Sequence, residues 1–194
     1  MSDFDPGPGP GPGSALRHLC EDYPGPDVYT EGFRTQWGPI FYRGRLSGEA
    51  RLLVIGQDPA QHEAVVRRIL VGEAGRRVQG FLRKLGFTRS YVMVNTYVYG
   101  IYDQRLAFRH ADDPGIVAYR HRWLDALFAA GPIDVVVAFG AQAHQAWQRY
   151  RDAMPGSAPA PLYEHVMHPT APGKGHPLIT TAKLLENWLT EQKA

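Results

Sequence analysis

Three short segments of this chain carry side chains that together could perform a hydrolysis. Gly56-Gln57-Asp58-Pro59-Ala60 follows the apolar run Arg51-Leu52-Leu53-Val54-Ile55, and His168-Pro169-Thr170-Ala171-Pro172 follows Tyr163-Glu164-His165-Val166-Met167. Both runs read as strands, and Asn95 ends a third, Tyr91-Val92-Met93-Val94. Ligands of open parallel sheets bind at the carboxyl ends of the strands, so Asp58, Asn95 and His168 can face one crevice although they are far apart in the chain. A carboxylate can position a water and stabilise developing positive charge, and a neutral imidazole can donate a hydrogen bond to a departing group. An amide offers one donor and one acceptor to whatever it faces. Singly, each has an ordinary structural explanation, since Asp-Pro after a strand makes a turn or a helix cap. Their joint placement at one sheet edge is the signal.

The elements that must position them follow from apolar periodicity. Residues 52–55, 91–96, 134–139 and 166–168 read as strands, the third being the most strand-like run and ended by Gly140. Residues 63–85 carry helical spacing at Val66, Ile69, Leu70, Val78, Phe81, Leu82 and Leu85, with Gly72 and Gly75 expected to break the stretch in two. Pro114 starts a helix to 128 with Trp123, Leu124, Leu127 and Phe128 on one face, and 141–150 and 177–192 are helical. Residues 154–161 form a Pro/Gly/Ser loop. Strands alternating with helices predict right-handed crossovers and a three-layer α/β/α fold with a central, mostly parallel sheet of about four strands. Residues 15–194 are expected to form a single domain of this kind. The four Pro-Gly repeats from Pro6 to Gly13 suit neither helix nor strand, so residues 1–14 are expected to be a disordered leader.

Composition sets outer bounds. The chain has 194 residues, 44% hydrophobic and 21% charged, as in globular proteins. No apolar run approaches the roughly 18 residues that span a membrane, so no membrane partner is expected. The N-terminus lacks the basic and apolar regions of a signal peptide, and a cytoplasmic location is the expectation. A single cysteine, Cys20, excludes an internal disulfide or a cysteine-ligated cluster built by this chain alone. Net charge is only +2, so a nucleic-acid partner must be argued from local charge. Between Gln61 and Ser90 the basic residues Arg67, Arg68, Arg76, Arg77, Arg83, Lys84 and Arg89 face only Glu63 and Glu73. Such clusters are usually solvated surface.

The motifs resemble those of the uracil-DNA glycosylase superfamily. Gly56-Gln57-Asp58-Pro59 matches the start of the water-activating motif of its best-known branch, and Val92-Met93-Val94-Asn95-Thr96 looks like the strand whose asparagine reads uracil. Val136-Val137-Ala138-Phe139-Gly140-Ala141-Gln142-Ala143 is similar to the segment that ends in a Gly-Ser loop, and His168-Pro169-Thr170 resembles the His-Pro-Ser motif that closes the site. Leu70-Val71-Gly72-Glu73-Ala74-Gly75 looks like the Phe-Val-Gly-x-Ala-Gly stretch of the iron–sulfur branches. Four motifs occur in order at the ends of four expected strands.

The resemblance implies a monomeric enzyme that hydrolyses the N-glycosidic bond of uracil in DNA, releasing free uracil and leaving an abasic site. Asp58 and His168 are then catalytic, and Gly56, Gln57, Ala60, Leu70 and Asn95 bind the base. DNA contacts fall to Gly140, Ala141, Gln142, Pro169, Thr170 and Lys174, and to Arg105 and Arg109 in a loop that mixes cations with apolar side chains. An enzyme acting on a paired base must flip it out of the stack. Neither a metal nor a redox cofactor is expected.

Two departures concern selectivity. Ala60 stands where the best-known branch has a tyrosine that blocks bulkier bases, and Leu70 where the iron–sulfur branches have a phenylalanine that stacks on the base. One cysteine cannot hold their cluster, so the chain resembles a cluster-free branch with mixed motifs. Leu70 or Tyr97 is expected to fill the space beside Ala60. His110 lies near where one branch carries a sugar-trapping histidine, but its surroundings do not match. Alternative readings are a glycosylase for hypoxanthine or xanthine, and a non-catalytic module for damaged or single-stranded DNA. No Gly-x-Ser-x-Gly elbow, P-loop or Gly-x-Gly-x-x-Gly fingerprint points to another α/β enzyme.

Overall fold

A computed structural model describes residues 16–154 and 160–170. The Pro-Gly leader, Lys174 and the expected helix at 177–192 lie outside the described residues. In chain order the elements are α1 (Arg17–Glu21), β1 (Tyr42–Gly44), β2 (Leu52–Gly56), α2 (Gln61–Val66), α3 (Glu73–Lys84), β3 (Tyr91–Asn95), α4 (Gln104–Ala107), α5 (Pro114–Ala130), β4 (Val135–Phe139), α6 (Ala141–Ala153) and β5 (Leu162–Val166). The sheet order is β1-β3-β2-β4-β5. All neighbours are parallel except β1, which pairs antiparallel with β3 at one edge. The sheet therefore has five described strands, one more than the sequence predicts. With three residues and Pro39 just before it, β1 is too short to show a period.

Every residue of β2, β3 and β4 is buried, as expected where helices cover both faces of parallel strands. Alternate side chains divide into two apolar clusters. Leu53, Ile55, Val92, Val94, Val136 and Ala138 pack with Trp123, Leu124, Leu127 and Trp147 of α5 and α6. Leu52, Val54, Met93, Val135 and Val137 pack with Val78, Phe81 and Leu82 of α3. This is the three-layer arrangement. The α5 start is capped by Asp113, whose Oδ1 accepts from the Gly115 and Ile116 amides, with Pro114 in the first turn. Among the described residues no helix is long and apolar enough to cross a membrane.

Two local expectations are corrected. The helical stretch does break in two, at Arg67–Gly72, as expected for Gly72 but not for Gly75, with Arg67 and Leu70 in the left-handed region at φ 60° and 52°. Gly75 instead lies inside α3 and is there for close approach, because a Cβ at this position would sit 1.8 Å from the Leu70 carbonyl oxygen. Gly75→Ala is therefore expected to destabilise the protein by about 3 kcal/mol, the upper end for overpacking, since the obstacle is backbone. A loss under about 1 kcal/mol in urea unfolding would show that the 67–72 turn yields easily. The last strand also ends earlier than predicted. Its ladder to β4 stops at Phe139↔Val166, the Gly140 amide donates to the Val166 carbonyl, and Met167 and His168 lie beyond the strand.

Candidate active site

β2 has β3 on one side and β4 on the other, and the chain crosses from β3 to β4 over it. That is a topological switch point, where the loops leaving the strand ends diverge and open a crevice. A cleft of about 280 Å³ lies there, and its lining includes Gln57, Asp58, Ala60, Leu70, Asn95 and His168. The loops from β2, β3 and β5 thus bring the expected residues together.

The tip of β2 is tied firmly to that of β3. The Thr96 amide and Oγ1 both donate to the Gly56 carbonyl at 2.9 Å, and the Tyr97 amide donates to the Gln57 carbonyl. Gly56 lies beneath the cleft rather than in its wall. A Cβ there would come within 2.3 Å of Asn95 Oδ1, so only glycine lets the amide lie over the β2 tip. Asn95 itself is 7% exposed.

Asp58 is held by two donors: Gln57 Nε2 to Oδ1 at 3.0 Å and the Ile101 amide to Oδ2 at 2.9 Å. Burial pushes its carboxyl up to about 6, and the nearby Glu63 adds to the rise, against the two hydrogen bonds, which favour the anion. His168 is half-buried, and loss of solvent lowers its pKa, leaving a neutral imidazole at neutral pH. The Thr170 amide donates to Nδ1 at 3.3 Å and Thr170 Oγ1 lies 3.0 Å from it. Nδ1 is therefore an acceptor and the ring proton resides on Nε2, available to a ligand. Pro169 is buried, and its carbonyl accepts from Arg77 Nη1 of α3, which anchors the turn. Gly140 supports the ring from behind, since a Cβ there would meet His168 Cβ at 3.2 Å.

Glu63 is a residue that sequence reasoning missed. It is 5% exposed and lines the cleft. Its Oε2 accepts from the Ala60 amide, and its Oε1 from the amides of Val71 and Gly72. One carboxylate therefore fixes both the start of α2 and the loop that presents Leu70. Its place in the first turn of a helix just after a strand tip is the available signal; the partners at 71 and 72 are not readable locally. Arg120 was also missed. It is 5% exposed beside Asn95 and Thr96, and its guanidinium has no hydrogen-bond partner among the described residues.

Other expected residues lie away from the cleft. Tyr97 is fully buried, and its hydroxyl donates to Gln142 Oε1 at 2.9 Å. This corrects the expectation that Tyr97 fills the space beside Ala60; Leu70 does line the cleft. Gln142 is committed to that bond, while Ala141 is exposed at the start of α6. Arg105 and Arg109 are exposed, on α4 and on the short turn Phe108–His110, next to the cleft-lining Gln104. His110 hydrogen-bonds Thr30 instead of facing the cleft. Among the described residues no group of three or more His, Cys, Asp or Glu side chains is arranged to hold a metal ion.

Burial of a carboxylate, a neutral imidazole with an outward N–H and an amide in one cleft suits hydrolysis with stabilisation of a leaving anion. The family model described as the uracil DNA glycosylase superfamily matches residues 44–174, a span that holds all three residues, and the chain belongs to that superfamily. It is accordingly a DNA glycosylase of base excision repair, a hydrolase whose substrate is DNA with a damaged base. No curated protein matches the chain.

Proposed function

We propose that the protein hydrolyses the N-glycosidic bond of uracil in DNA as a monofunctional, monomeric glycosylase, leaving an abasic site. The observation that carries this reading is the convergence of Asp58, Asn95 and His168 on one cleft. Bond cleavage builds positive charge on the sugar and negative charge on the base. The Asp58 carboxylate stabilises the first and orients the attacking water, and His168 Nε2–H donates to the base carbonyl as the second develops. Asn95 pairs with the edge of uracil and disfavours cytosine, whose exocyclic group has the opposite hydrogen-bonding polarity. Exposed Arg105 and Arg109 and the exposed backbone at Ala141 suit phosphate contacts, whereas the Gly140 amide is committed to the Val166 carbonyl.

Incubation with labelled duplexes, each holding one altered base, followed by alkali, tests the reading: uracil is expected to be released fastest. Preferred release of hypoxanthine or xanthine would shift the specificity to purines, a reading favoured only by the room at Ala60 beside Leu70. Ala60→Tyr probes that room. It is expected to leave uracil release measurable and to lower release of 5-substituted uracils.

The carboxylate is the working form of Asp58, and its pKa is about 6. The single-turnover rate is therefore expected to fall about tenfold per unit as pH drops below about 6, with a plateau above. A rate that stays flat down to pH 4.5 would exclude Asp58 ionisation from the reaction.

A further inference from the structure

Outside the cleft, a second cavity of about 310 Å³ lies between α3 and the edge strand β1. Its polar lining consists of Arg43 from β1 and Arg76, Gln79 and Arg83 from α3. The three α3 residues and Gly80 fall at i, i+3, i+4 and i+7, so they share one helix face. No carboxylate lines the cavity. Arg43 donates to the Leu70 carbonyl at 2.6 Å, so its guanidinium is held in place. Gln79 Oε1 accepts from Tyr91 Oη at 3.1 Å, and its Nε2 is buried with no partner among the described residues. The charged side chains of the wall are therefore all cationic.

The basic run of α2 and α3 is sorted by the fold. Arg67 donates to the carbonyls of Trp37 and Pro39, and Arg77 pairs with Glu73 and donates to Pro169. Arg76 and Arg83 have no ion pair among the described residues, and both face the cavity. Gly80 adds an independent observation. Glycine inside a helix is less favourable than alanine, yet a Cβ at 80 would meet nothing within 4 Å. Packing does not require this glycine, which lies in the cavity wall between Arg76 and Arg83 with open space beside it. The guanidinium forks of Arg76 and Arg83, beside the fixed Arg43, suit a group that has several anionic oxygens.

We propose that this cavity is a phosphate-binding site separate from the base cleft, taking either a backbone phosphate of a nucleic-acid strand or free phosphate. Its test uses the full chain carrying Gly80→Glu, which places a carboxylate among the arginines at a helix position with room for it, and Arg76→Gln/Arg83→Gln. Thermal unfolding is measured in inorganic phosphate against chloride at equal ionic strength. Binding of an undamaged single-stranded 20-mer is measured over a salt series. If a strand phosphate is the ligand, both variants weaken DNA binding about tenfold and flatten the salt dependence by roughly one to two ions, while Lys84→Gln, outside the cavity, has a smaller effect. If free phosphate is the ligand, phosphate raises the unfolding midpoint of the wild type, both variants lose that rise, and DNA affinity is unchanged. Absence of both effects, or an equal loss of DNA affinity in Lys84→Gln without a phosphate effect, overturns the site. Neither readout uses uracil or the cleft residues, so the outcome is independent of the proposed base specificity.

Discussion

Asp58→Asn is expected to lower base excision by at least about a hundredfold, the usual scale for a positioned acid–base group, with little change in DNA affinity. The substitution keeps the shape but removes the charge that, in the proposed reaction, stabilises the sugar. Its effect on stability is expected to run the other way. Burial lifts the carboxyl from its ordinary value of 3.8 to about 6, so the folded protein holds this proton more tightly than the unfolded chain does. Ionisation then opposes folding. The cost is absent below about pH 4, grows as pH rises to about 6, and is fully present at neutral pH, at about 3 kcal/mol for a shift of this size. Asparagine avoids it, and Gln57 can turn its amide to keep a partner. The variant is therefore expected to unfold at or above the wild-type temperature at pH 7.5. A large loss of stability together with the loss of activity would mean that Asp58 serves the fold and not the reaction.

His168→Ala is expected to reduce turnover by about a hundredfold to a thousandfold, the scale for removing one donor to a developing anion. The effect should fall on kcat with KM little changed, because the bond strengthens as charge develops on the base. Leaving-group chemistry provides a sharper readout. A base whose anion is inherently more stable, such as 5-fluorouracil, depends less on the donor and is expected to lose less. An equal loss on uracil and 5-fluorouracil would place His168 outside leaving-group stabilisation. His168→Gln, which keeps an N–H donor, should recover part of the rate.

Much of the frame was legible because buried parallel strands are apolar throughout. Leu52–Gly56, Tyr91–Asn95 and Val135–Phe139 are such runs, and each has a turn at its carboxyl end. The edge strand Tyr42–Gly44 was not legible, because it is held by its pairing with Val92–Val94 rather than by any pattern of its own. The turn at 67–72 was legible only at Gly72, for a similar reason. Glycine spacing suggested the break, but the left-handed residues are Arg67 and Leu70, kept there by contacts to Glu63 and Gly75.

The sequence by itself determined the three central strands β2, β3 and β4, the helix after Asp113-Pro114, and the placing of Asp58, Asn95 and His168 after strand ends, because these depend on local patterns of apolar side chains and turn residues. The tertiary structure alone decided the state of those groups. Asp58 has its raised pKa because its surroundings exclude water and bring Glu63 near, and its orientation because the Ile101 amide, 43 residues away, reaches it. Leu70 enters the cleft because Glu63 holds the amides beside it, whereas Tyr97 is turned away to Gln142. Burial and hydrogen-bond partners are properties of the assembled chain, so a sequence can name a carboxylate but only packing sets when it is charged.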